Sequence, residues 1–121
     1  MLERFHVSDE EAIRINHLKM HSIVMQIFIK MGLSDENSKT SADVLIYADL
    51  NGVDTHGVSN MLRSYISMYQ QQKINPTPSI KIIKESNATL ALDGDNGLGL
   101  HTAPEAMKMA ISKAKESGVG M

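Results

Sequence analysis

Cysteine and tryptophan are both absent from the 121 residues. Without cysteine there is no disulfide, no thiolate nucleophile and no thiolate-ligated zinc, which fits a reducing compartment and makes the cytoplasm the expected location. Aromatic residues supply only 4% of the chain, and nine methionines take over part of the filling, so the core is expected to be adaptable rather than stiff. A net charge of −2 with the two signs interspersed offers no basic face to neutralise phosphates, which excludes nucleic acid as an expected partner. Long apolar runs are missing too. The best stretch, residues 23–31, is broken by Gln26 and Lys30, and residues 1–11 are charged without the apolar centre of a signal peptide, so no membrane segment is expected. What is present, 42% apolar and 21% charged residues without repeats or linker-like tracts, suits one soluble globular unit able to bury a core.

The order of elements follows from periodicity and punctuation. Phe5 and Val7 read as an edge strand, after which Ser8 and Glu11 form a capping box opening a helix over residues 9–31. Met20, Ile23, Val24, Ile27, Phe28 and Met31 mark its buried face, and Gly32 ends it. Ser34 caps a second helix with Asp35 and Glu36 at its positive end; Ala42, Leu45, Ile46 and Asp49 continue along it to a stop at Asn51-Gly52. A third amphipathic helix from about Ser59 carries Met61, Leu62, Tyr65, Ile66 and Tyr69, and Asn75-Pro76-Thr77-Pro78 terminates it. The period then becomes two: residues 80–84 and 88–92 read as a hairpin joined by Glu85-Ser86-Asn87. After a glycine-containing loop, Thr102 and Glu105 form a second capping box that opens a last helix, closed by Gly118. The expected class is α+β, a helical N-terminal portion followed by a short β-hairpin.

Few residues outside one segment carry a chemical pattern. His17 and His21 share a helix face at metal-binding spacing, yet lack a third ligand, so no metal site is expected. His6 and His101 have no partner visible in sequence and read as solvated or capping histidines. The loop at 94–99 precedes a helix N-terminus, where backbone N–H groups can receive a phosphate, but its glycine order is not a dinucleotide fingerprint and a plain strand-to-helix turn explains it. Residues 49–65 differ. Asp49, Asp54, Thr55 and His56 precede a helix bearing Arg63, which brings a proton-exchanging imidazole close to a guanidinium able to grip a carboxylate. A capped turn with a hydrogen-bonded histidine accounts for the same residues.

The stretch Ala48-Asp49-Leu50-Asn51-Gly52-Val53-Asp54-Thr55-His56-Gly57-Val58 resembles the signature of the malate/L-lactate dehydrogenase family that lacks a Rossmann fold. Met31-Gly32-Leu33, Tyr65, Ile74-Asn75-Pro76, Asp93-Gly94-Asp95, Gly97-Leu98-Gly99, Ala114-Lys115 and Gly118-Val119-Gly120 follow that family's order, so the resemblance covers nearly the whole chain. It implies an NAD- or NADP-dependent oxidoreductase acting on malate, lactate, ureidoglycolate, sulfolactate or related 2-hydroxy and 2-oxo acids, or on cyclic imino acids, and commonly dimeric. It implies that His56 exchanges a proton with substrate and that Thr55 assists by hydrogen bonding. The family often places its carboxylate-binding arginine four residues after that histidine; this sequence has Asn60 there and Arg63 three residues later. Arg63 is expected to take the charge role from the next helical turn, with Asn60 marking a different substrate preference as the alternative.

The family's later histidine motif and largely antiparallel dinucleotide-binding sheet have no counterpart in these residues. The resemblance therefore implies an N-terminal fragment, incomplete relative to the family's full fold: a helical substrate-site portion at 1–75, a hairpin, glycine loop and helix at 76–121, and a missing cofactor domain. NAD or NADP is expected in a full-length relative and not on this chain, and the expected assembly is a homodimer. The rival expectation is a non-catalytic module that uses uncovered apolar surface to self-associate or bind a partner.

Overall fold

The computed structural model describes residue 8 and residues 10–121. The strand expected at Phe5 and Val7 lies outside the described residues. The elements in chain order are α1 (His17–Lys30), α2 (Asp35–Leu50), a 3₁₀ turn (Asp54–His56), a π turn (Val58–Leu62), α3 (Arg63–Gln70), β1 (Lys81–Glu85), β2 (Leu90–Asp93) and α4 (Gly99–Ser117). The α+β architecture and the hairpin match the sequence expectation.

The first helix begins eight residues later than its capping box suggests. Ser8 Oγ does accept the Glu11 N–H at 3.3 Å, but the result is a single turn. Beyond it Ile13 and Ile15 alternate and stand 86% and 58% exposed, so no buried face supports continued helix there. Asn16 is the effective N-cap, its side chain accepting from the Lys19 N–H at 3.1 Å. At the other end Gly32 takes a φ of +98°, and Leu33 and Gly32 donate back to the carbonyls of Phe28 and Ile29. That paired closure needs a left-handed residue, which glycine adopts without steric penalty.

Ser34 caps α2 as expected, accepting from the Asn37 N–H at 3.2 Å. Helices α1 and α2 pack as an antiparallel pair, Val24 and Phe28 of the first against Ala42 and Leu45 of the second, and Leu62, Tyr69, Ile74 and Leu98 close over them. Fully burying a side chain such as Phe28 contributes about 1.5–3 kcal/mol, and this cluster is the one that fixes the α1–α2 platform under the 53–62 segment. Helix α4 lies on α2 and starts at Gly99, before the expected capping box. Thr102 turns its hydroxyl back to the Leu98 carbonyl at 3.2 Å instead of capping, because buried Leu98 anchors the helix start three residues earlier.

The hairpin pairs Lys81 with Asp93, Ile82 with Leu92, Lys84 with Ala91 and Glu85 with Leu90, with Ile83 as the extra residue of a bulge. β1 is exposed along its whole length. Lys113 of α4 ties the hairpin turn down, donating to Glu85 Oε1 at 2.8 Å and to the Ser86 carbonyl at 2.7 Å. Met121 donates to the Ala88 carbonyl and accepts from the Leu90 N–H, lying along the free edge of β2.

Candidate active site

The segment after α2 is built from backbone closures and one carboxylate. Gly52 and Val53 donate to the carbonyls of Asp49 and Ala48 at 3.1 and 2.9 Å, which reverses the chain. His56 N–H then donates to the Val53 carbonyl at 2.9 Å, and Gly57 N–H to the Asp54 carbonyl at 3.3 Å, forming the 3₁₀ turn that presents Thr55 and His56. Asp49, in the last turn of α2, reaches over this loop and accepts the Val58 N–H at 3.0 Å on Oδ2. Gly57 lies directly under that carboxylate. Any Cβ at position 57 would collide with Asp49, so glycine there permits the approach and is not demanded by backbone conformation.

The imidazole of His56 is exposed, and its Nδ1 lies 2.9 Å from Thr55 Oγ1. Thr55 thus orients the ring, and the direction of that hydrogen bond sets the tautomer. Nε2 has no partner among the described residues. Asn60 is half-buried, and its amide nitrogen donates to the Asp54 carbonyl at 2.7 Å and approaches Ser59 Oγ at 3.4 Å, so its donors serve the loop. Arg63 opens α3, is exposed, and makes no hydrogen bond or ion pair among the described residues. A pocket of about 370 Å³ borders the same loop through Asp49, Asp54, Val58 and Ser59. Thr55, His56, Asn60 and Arg63 do not line it.

The remaining candidates resolve differently. His21 pairs with Asp43 rather than with His17: Nε2 to Oδ1 is 2.7 Å, while Lys39 reaches Oδ2 at 2.7 Å. Burial alone would raise the Asp43 pKa, but the hydrogen bonds and charges of Lys39 and His21 outweigh it and hold the carboxyl below its usual value. No group of three or more histidine, aspartate or glutamate side chains among the described residues is arranged to hold a metal. His101, expected to be solvated or capping, is instead 5% exposed between α4 and α2, with Nδ1 3.3 Å from Ser41 Oγ and Nε2 buried without a partner. No pattern in the sequence around it signals this burial, which the packing of α4 on α2 decides. Desolvation pushes its pKa down.

The loop before α4 does not fit a dinucleotide pyrophosphate. Asp95 Oδ2 accepts from Asn75 Nδ2 and the Ser79 N–H, and Asp93 Oδ1 from the Asp95 N–H, which leaves two carboxylates beside the helix entrance. Pro78 and Thr102 already fill the space over Gly97. Negative charge and absent room both oppose a phosphate there.

Comparison with known proteins places these elements in a wider setting. The family model described as Malate/L-lactate dehydrogenase matches residues 15–121. The malate dehydrogenase of Pyrococcus abyssi is 40% identical over the whole of this chain and 33% of its own length. The L-sulfolactate dehydrogenase of Methanocaldococcus jannaschii is 43% identical over 82% of this chain and 28% of its own. Among solved structures, malate dehydrogenase from Pyrococcus horikoshii superposes with a TM-score of 0.90 at 36% identity, over 95% of this chain and 33% of that one. The chain spans about a third of the length of the relatives it matches.

Proposed function

The chain belongs to the malate/L-lactate dehydrogenase family, and from that premise we propose that it carries the acid/base and carboxylate-gripping part of an NAD(P)-dependent oxidoreductase. The reaction interconverts a malate- or lactate-like 2-hydroxy acid and its 2-oxo acid. The observation that carries this reading is the ring of His56, exposed, held at Nδ1 by Thr55 at 2.9 Å and unengaged at Nε2 among the described residues. Nε2 takes the proton of the substrate hydroxyl as the 2-oxo acid forms and returns it to the carbonyl oxygen in the reverse direction. Arg63, an exposed cation with no partner among the described residues, grips the substrate carboxylate through two parallel N–H bonds. Asn60 holds the loop and keeps its carbonyl oxygen for a substrate donor.

The dinucleotide supplies the hydride acceptor in such a reaction. The loop before α4 does not fit it, so we assign its binding to regions of full-length relatives outside these 121 residues, and this chain alone to an incomplete site. In that longer setting the protein is a cytoplasmic homodimer. Among the described residues no helix is long and apolar enough to cross a membrane.

The test grafts this chain in place of the matching third of the Pyrococcus abyssi relative and measures turnover of 2-oxo acids with NADH and NADPH. The His56→Ala variant is expected to lose about 10²–10⁴ in kcat. Arg63→Met is expected to raise KM for the 2-oxo acid roughly 10- to 100-fold, the worth of charged hydrogen bonds. An active graft whose turnover survives His56→Ala removes His56 from the role, and a KM that responds to Asn60→Ala instead of Arg63→Met moves the grip to Asn60. A second reading, a non-catalytic self-association module, is favoured by a separate observation: Ile13, Leu18, Tyr47 and Leu50 stand 86%, 68%, 70% and 62% exposed.

A further inference from the structure

Asp49 sits six residues before Thr55, at the end of a different element, and among the described residues its carboxylate is the one side-chain group bonded to the backbone just beyond His56. On one flank the His56 N–H is fixed to the Val53 carbonyl, and Val53 is itself fixed to Ala48 in the last turn of α2. On the other flank Asp49 Oδ2 holds the Val58 N–H at 3.0 Å while the rest of the carboxylate presses on Gly57. The two residues that follow His56 are therefore clamped to the same helical turn as the residues that precede it. Thr55 is inside the clamp, so its contact with His56 Nδ1 depends on the loop holding its curvature.

From this geometry we infer that Asp49 is the positioning residue for His56: its carboxylate, seated on Gly57 and the Val58 N–H, holds the turn in which Thr55 orients the imidazole. The inference deepens the functional reading above and rests on it for its catalytic meaning. Its structural content stands apart, because the chemistry required of Asp49 is only that of a hydrogen-bond acceptor of the right length. An amide oxygen at this position can accept the same Val58 N–H, whereas a methyl group cannot. A methyl at position 57 displaces the carboxylate from the opposite side, so two independent substitutions attack one contact.

The experiment is ¹⁵N NMR of the histidine rings in this chain, which reports the tautomer of each imidazole, for wild type, Asp49→Asn, Asp49→Ala and Gly57→Ala. The buried His101 ring, bonded to Ser41 near the other end of α2 from Asp49, serves as the internal reporter of an intact fold. The expected result is that Asp49→Ala and Gly57→Ala lose the wild-type shift pattern of His56 in favour of the averaged pattern of a freely rotating imidazole, with His101 unchanged. Asp49→Asn is expected to retain the wild-type His56 pattern. A His56 pattern unaffected by Asp49→Ala overturns the inference, and so does a loss in which His101 moves together with His56, since Asp49 then supports the whole fold. Because no turnover is measured, these outcomes are separate from the graft experiment: a dispensable His56 defeats the functional reading, and an unmoved His56 ring defeats the positioning role.

Discussion

Burial of His101 with an unpartnered Nε2 gives one residue a measurable hold on the pH dependence of the fold. Desolvation disfavours its charged form, so its folded pKa lies below the ordinary 6.5. As pH falls through 6.5 the unfolded chain takes up a proton that the folded state refuses, and stability is lost until the lower folded pKa is reached. Asp43 acts in a different window: its folded pKa is lowered from 3.8, so its contribution is present above that value and disappears only as pH falls through the folded one. Between pH 7.5 and 5.5, then, His101 is the group of these two that titrates. The expected outcome is a thermal midpoint that drops across this interval in the wild type and drops less in His101→Gln, whose amide keeps a partner for Ser41 without a titratable ring. Equal slopes for the two proteins, measured by calorimetry, remove His101 from the account.

At the scale of elements, the end of α3 shows where local chemistry is poorer than the fold requires. Gln72 donates to the Tyr69 carbonyl and Lys73 to the Met68 carbonyl, the same paired closure that ends α1 and α2, yet Gln72 adopts a φ of +56° with a side chain in place. A left-handed residue other than glycine costs roughly 1–2 kcal/mol, part of which is recovered by glycine despite its larger unfolded-state entropy. Gln72→Gly is therefore expected to stabilise the chain by about 0.5–1 kcal/mol, read as a higher urea midpoint at unchanged slope; a lower midpoint contradicts the geometry. The same closures explain what was legible from sequence. Gly32 and Asn51-Gly52 are explicit stops, and Ser34 an explicit start, so α2 was readable to within a residue. The start of α1 was not, because Ser8-x-x-Glu11 describes a turn as well as a helix and only tertiary burial separates them. The 49–58 loop was legible as a cluster of chemical groups, but the clamp from Asp49 to Gly57 was not, since no periodicity links a helix end to a carboxylate folded back over a turn. His101 was misread for the opposite reason: a lone histidine has no pattern, and its burial is decided by α2, sixty residues away.

At the scale of the whole molecule, the described residues leave apolar side chains uncovered on two faces. Leu18, Tyr47 and Leu50 line a shared apolar pocket between α1 and α2, while β1 leaves Ile82 and Ile83 in solvent. Contiguous exposed apolar area of this kind drives association, whether it meets the additional two-thirds found in the relatives or a second copy of this chain. Sedimentation of the isolated chain across micromolar concentrations is expected to show self-association. Because Leu50 shares an apolar pocket with Leu18 and Tyr47, whereas Ile83 lines no such pocket among those described, Leu50→Lys is expected to shift the population toward monomer, and Ile83→Lys to have the smaller effect. A monomer at every concentration defeats the self-association reading, and a dimer insensitive to Leu50→Lys but broken by Ile83→Lys moves the interface from the helices to the hairpin. A chain that associates through α1–α2 covers the pocket of Leu18, Tyr47 and Leu50, whose lining does not include Thr55 or His56, so association through it is compatible with an accessible imidazole.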